Sequence, residues 1–140
     1  MIERDTSIVR EIADEHRAQD RLFARALTLL EEGGPELQAR DAFEELRGAL
    51  ESHLVAEENL YFPTIWALRP EFKDRLRSFI RSHHHFRGLI QEITGLMGSH
   101  ETEEATHVLE RLRNEFRKHE VGEEDVLRSL DQLILSHESP

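Results

Sequence analysis

Residues 112–127 read Leu-Arg-Asn-Glu-Phe-Arg-Lys-His-Glu-Val-Gly-Glu-Glu-Asp-Val-Leu, and their spacing decides the fold. Leu112, Phe116, Val126 and Leu127 recur at the three- and four-residue steps of one helix face. That face must also pass through His119 and Glu123, so an imidazole and a carboxylate interrupt an apolar seam. Outward from the break the seam continues through Ala105, Val108 and Leu109 before it, and through Leu130, Leu133 and Ile134 after it. An earlier segment carries the same defect: Phe43, Leu46 and Leu50, then His53 and Glu57, then Leu60 and Ile65. The two segments align without gaps from Leu46-Arg47 to Glu57-Glu58 and from Leu112-Arg113 to Glu123-Glu124. Two further stripes contain one histidine each. One runs Val9, Ile12, His16, Gln19, Phe23, Ala26, Leu30, and the other Phe72, Leu76, Phe79, His83, Phe86, Ile90, Ile93, Met97.

Gly and Pro clusters separate these stripes at Glu31–Pro35, around Pro63 and Arg69-Pro70, and at Gly98–Thr102. The predicted helices are therefore 6–32, 36–62, 71–98 and 102–136, with Thr6 or Ser7 and Thr102 as caps, a short extension over Thr64–Leu68 and a frayed tail from Ser136 to Pro140. Acidic residues in Glu101-Thr102-Glu103-Glu104 favour the start of the last helix through its dipole. Short connections make successive helices antiparallel, and the expected fold is an all-α, up-down-up-down four-helix bundle occupying residues 1–140 as a single domain.

The totals agree. With 140 residues, seven Gly, four Pro and abundant Leu, Glu, Arg and Ala, the chain suits one helical core. It has no cysteine, which excludes disulfides, thiolate metal sites and a cysteine nucleophile. A formal charge of −11 disfavours nucleic acid and anionic membrane surfaces as partners. Met1–Arg10 carries charges at positions 3, 4, 5 and 10 and lacks an apolar secretory core, so a cytoplasmic location is expected.

Burying an ionised carboxylate without a partner costs many kcal/mol, so such groups are paired, metal-bound or protonated. Each His-x-x-x-Glu pair places a nitrogen and an oxygen one helical turn apart on the same face. Together His16, His53, Glu57, His83, His119 and Glu123 form a candidate metal centre of four imidazoles and two carboxylates. Nitrogen and oxygen donors without sulfur suit iron, manganese and other divalent first-row metals. Carboxylates can bridge cations that imidazoles terminate, so two metals account for the ligand count best and leave positions for an oxo or hydroxo bridge and an exogenous ligand.

The pattern His16, His53-Leu-Val-Ala-Glu57, His83, His119-Glu-Val-Gly-Glu123, followed after Glu57 by Glu58-Asn59-Leu60-Tyr61-Phe62-Pro63, resembles the hemerythrin-like HHE cation-binding family over nearly the whole chain. The resemblance implies a four-helix bundle with a non-heme di-iron centre. Glu57 and Glu123 would bridge the irons, the four histidines would cap them, and O2 or a related small ligand would enter an open site. Two departures from the oxygen-carrying hemerythrins stand out. Position 87 is Arg where a second third-helix histidine is expected, and His119 is followed by Glu123 and Glu124 rather than by an aspartate five residues on. One iron then has fewer protein ligands than in the oxygen carriers. That points away from reversible O2 carriage and toward the branch associated with oxygen or iron sensing, peroxide chemistry or redox roles, with any signal passed to a separate protein partner. The alternatives are an enzyme acting on hydrogen peroxide or oxidising a small substrate, and a metal-free helical interaction module.

The remaining polar residues read more plainly. Of His83, His84 and His85, the stripe selects His83, with His85 its nearest rival by helical angle. Glu58 and Glu124 fall one position off the inward direction, either solvated or orienting a ligand histidine. Tyr61 is expected at the boundary with its hydroxyl in water, Phe62, Ile65 and Trp66 in packing, and His100, His107 and His137 on the surface. There is no phosphate loop, G-x-S-x-G elbow or H-E-x-x-H pair, and Glu104-Ala-Thr-His107 is the lone ferritin-like spacing.

Overall fold

The computed structural model describes the backbone of residues 2–33 and 36–138 and the side chains of 9–33 and 36–130. Helix α1 (Ile2–Glu31) ends where Gly33 takes a left-handed φ of 64°, as a glycine permits without steric cost. Helix α2 (Glu36–Ala56) passes into a π-helical turn (Glu57–Tyr61) and on into α3 (Phe62–Leu68). A 3₁₀ turn over Pro70–Phe72 leads to α4 (Lys73–Gly98), and α5 (Thr102–Glu138) closes the chain. The backbone of α5 stays helical through Ser136–Glu138, where a frayed tail is expected, because no proline interrupts it before position 140. Helix α1 already runs through Thr6 and Ser7, the expected caps, because it begins at Ile2; the side chains of Thr6, Ser7, Leu133, Ile134 and His137, and Gly34, Pro35, Ser139 and Pro140, lie outside the described residues.

Although Gly98 is the last residue of α4, glycine does not supply the left-handed residue that follows it. The left-handed position belongs to His100 (φ 60°), and the chain closes with Glu101 N–H donating to Leu96 C=O at 2.8 Å and His100 N–H to Met97 C=O at 3.1 Å. The His100 ring reaches across the end of the bundle to Glu36.

The π turn corrects the expected seam. In a regular helix Leu60 follows Glu57 inward, but one extra residue in the turn rotates Leu60 out to 56% exposure and turns Tyr61 and Phe62 into the core. Pro63 supplies a local cause: it has no N–H for the preceding turn and its ring crowds the carbonyl there, so a widened turn just before it relieves the conflict.

Pairs across the helix interfaces show the topology. Arg25 meets Glu45 while Glu15 meets His53; Glu51 meets Arg87 while Glu58 meets His83; Arg75 meets Gly122 while His85 meets Glu115; Asp20 meets Arg117 while His16 meets Glu123. In every pair of neighbours one residue number rises as the other falls, so α1, α2, α4 and α5 form an antiparallel ring. Among the described residues there is no strand, and no helix is long and apolar enough to cross a membrane.

The interior is divided in two. A larger apolar cluster around Phe23, Phe43, Leu46, Ile93, Leu109 and Phe116 fills the end near the α1–α2 and α4–α5 connections. A smaller one of Ile12, Tyr61, Phe62, Ile65, Leu76, Phe79, Val126, Leu127 and Leu130 fills the other end. Buried polar residues from all four long helices lie between them.

Candidate metal centre

His16 enters this layer from α1, His53 from α2, Glu57 from the first residue of the π turn, His83 from α4, and His119 and Glu123 from α5. All six are buried, Glu57 and His83 completely. Of the three neighbouring histidines only His83 turns inward; His84 is exposed, and the side chain of His85 is 47% exposed and pairs with Glu115 on the surface. The structure therefore brings every predicted site residue into one layer, and of the His83–His85 run it turns His83 alone toward that layer.

The six side chains form two overlapping sets. One ligand atom each from His16, His53, Glu57 and Glu123 lie within 4.8 Å of one another, and so do atoms from Glu57, His83, His119 and Glu123. Both carboxylates belong to both sets. Glu123 Oε1 lies 3.2 Å from His16 Nε2 and its Oε2 lies 3.3 Å from His119 Nε2, so its two oxygens address different histidines. Glu57 Oε1 is 3.3 Å from His53 Nε2 and 3.2 Å from His83 Nε2.

These contacts do not satisfy the groups. Nε2 of His53, His83 and His119, both oxygens of Glu57 and Oε2 of Glu123 are buried without a hydrogen-bond partner. Leaving so many polar atoms unsatisfied in a protein interior is costly. Nitrogen and oxygen lone pairs converging at this spacing are what cations require of their ligands, so the donor atoms of either set fit a metal ion.

Carboxylates on the outer side of the imidazoles orient them. His53 Nδ1 faces Glu15 Oε2 at 3.2 Å, and His83 Nδ1 faces Glu58 Oε2 at 2.7 Å. Arg87, in the position of the missing third-helix histidine, donates to both Glu58 oxygens at 2.8 and 3.1 Å and also to Glu51. His16 Nδ1 lies 3.4 Å from Glu120 Oε2 and 3.5 Å from the exposed Glu124. Such partners fix the tautomer and ring orientation that leave Nε2 free to ligate. Aromatic rings complete the walls: Phe62 lies 5.6 Å from the His83 ring, and Phe79 and Phe86 lie 5.3 and 5.1 Å from His119.

Without cations the layer is held together by protons. Burial raises the Glu57 carboxyl above its ordinary range, and the facing Glu123 raises it further. Burial also opposes ionisation of Glu123, but the close approach of Glu57, His119 and His16 holds it well below that range. Burial alone would lower the His53 imidazole; its bond to Glu15 and the nearby Glu57 carboxylate outweigh that and carry it up to about 10.

The sequence reading missed Glu15 and Glu120, which sit beside inward residues on their helices but look like solvated charges in a linear pattern. It placed the Tyr61 hydroxyl in water, whereas Tyr61 is buried and donates to Glu11 at 3.2 Å, because the π turn carries it inward. Trp66 is 40% exposed rather than packed in the core, with Lys73 and Arg77 over its ring. Phe62 and Ile65 are buried, and His100 and His107 lie on the surface.

An antiparallel helical bundle with histidines and shared carboxylates converging at its middle defines a cation-binding four-helix protein. The family model for the hemerythrin HHE cation-binding domain matches residues 7–130, and the chain belongs to that family. Comparison with curated proteins and with solved structures gave no match.

Proposed function

We propose that the centre holds two iron ions and binds O2 or a related small oxygen-derived ligand. The observation that carries this reading is the sharing of Glu57 and Glu123 between two otherwise separate ligand sets, with the two oxygens of Glu123 directed at different histidines. In this reading His16 and His53 would hold one ion, His83 and His119 the other, and Glu57 and Glu123 would be shared between them. A pair of redox-active first-row cations supplies electron exchange with an oxygen-derived ligand. The chain's own groups set the conditions for it. Glu15, Glu58 and Glu120 orient imidazoles from behind, while Phe62, Phe79, Phe86 and Phe116 keep bulk water from the layer.

Metal analysis of aerobically purified protein, together with its ultraviolet-visible spectrum, tests the reading. Two irons per chain are expected, and Glu57→Ala and His119→Ala should each lose most of that iron while far-ultraviolet circular dichroism stays helical. Near-complete iron in either variant, or a wild-type chain that takes up no first-row divalent metal, would overturn it.

A further inference from the structure

The two ligand sets match in their inward atoms but differ in what stands behind them. On the His16/His53 side, Glu15 lies 3.2 Å from His53 Nδ1 and Glu120 lies 3.4 Å from His16 Nδ1, and among the described residues neither carboxylate is paired with an Arg or Lys. Glu120 is mostly shielded from water, and its Oε2 is buried without a hydrogen-bond partner. On the other side the one carboxylate behind His83 is Glu58, and its charge is spoken for by the two-pronged contact of Arg87. His119 has no carboxylate within ion-pair distance other than Glu123 among the described residues, and three phenylalanines flank its ring.

A negative charge behind one imidazole nitrogen makes the opposite nitrogen a stronger donor, and at Glu120, 13% exposed, surroundings of low polarity leave that effect less screened than at Glu15, 36% exposed. A guanidinium on the same carboxylate cancels most of it. From this asymmetry, and resting on the two-metal reading above, we infer that the two cation positions are inequivalent: the one between His16 and His53 is the tighter and fills first, with Glu15 and Glu120 as the positioning residues that make it so. The His83/His119 position, walled by aromatic rings and backed by a neutralised carboxylate, is the more exchangeable one.

Anaerobic titration of the metal-free full chain with Mn2+, followed by calorimetry and electron paramagnetic resonance, separates the steps. Two binding steps at least about tenfold apart are expected, with an isolated-ion signal during the first equivalent and a spin-coupled pair only during the second. His83→Ala should abolish the second step and spare the first. Glu15→Gln combined with Glu120→Gln keeps hydrogen-bond acceptors but removes the charges, and should weaken the first step about 10–100-fold. Two equal steps in the wild type, loss of the tight step in His83→Ala, or a first step unmoved in the folded double Gln variant would each overturn the inequivalence while leaving the two-metal centre standing. Failure of the wild type to take up any Mn2+ would overturn both.

Discussion

Glu57 shows how the centre manages charge at the level of one side chain. It has no exposure to water, faces a second buried carboxylate, and has two histidine nitrogens within 3.3 Å, so it persists by holding a proton or by ligating a cation. The same exchange governs His53. In the metal-free native chain, burial would lower its imidazole, but Glu15 and Glu57 keep it protonated up to about 10 against an ordinary value of 6.5. That proton therefore stabilises the fold fully below 6.5, and its contribution is lost as pH climbs through about 10. Glu120 acts in the same sense at lower pH, since burial, aided by Glu123, raises it to about 7 from an ordinary 4.5. Chelator-treated protein should accordingly melt at progressively lower temperature as pH is raised from about 6.5 to about 10, while metal affinity increases because the ligands have already lost their protons. A melting temperature of the metal-free protein that rises across this window would show that proton-held contacts do not stabilise the layer.

At the scale of one element, the π turn is the feature that a straight helix lacks and the site needs. Beginning at Glu57 it re-phases the chain, so that Tyr61, Phe62 and Ile65 close the layer from the far side. The two registers predict opposite sensitivities. With the π turn, Leu60→Gln should change stability by no more than about 0.5 kcal/mol, whereas Phe62→Ala should cost about 3–5 kcal/mol in chemical denaturation. A regular helix would bury Leu60 and make its substitution the more damaging of the two. The end of α4 illustrates a related point: the turn there needs a residue with positive φ, and His100 fills it although Gly98 stands two positions away. The bonds from Glu101 to Leu96 and from His100 to Met97 set that position, and glycine merely makes such a position cheap elsewhere.

Across the whole molecule, two apolar clusters clamp a polar layer that neither can stabilise alone. A chain with a formal charge of −11 and two carboxylates in its interior gains from cations twice, by relief of self-repulsion and by satisfaction of buried ligands. Ferrous loading without oxygen, at about a hundred times the dissociation constant, should stabilise the native state by about 2.7 kcal/mol and raise the melting temperature by roughly 5–10 °C, reversibly on chelation. A melting temperature indifferent to iron would mean that the polar layer is satisfied by protons alone.

The helical class, the four-segment division and the inward placement of His16, His53, Glu57, His83, His119 and Glu123 were all legible in linear order. The 3.6-residue period is a property of the backbone, and it leaves a trace in every stretch that must bury one face. The assignment of His83 over His85 followed from the same phase. What the packed bundle alone decided was the set of partners lying off that phase. Glu15 reaches His53 on the neighbouring helix, Arg87 captures Glu58, Glu120 approaches His16 from the opposite end of the chain, and the π turn exchanges Leu60 for Tyr61. Such contacts join residues far apart in sequence, and a charged side chain beside a seam looks the same in linear order whether it meets water or the back of an imidazole. Only the closure of four helices into a ring distinguishes the two.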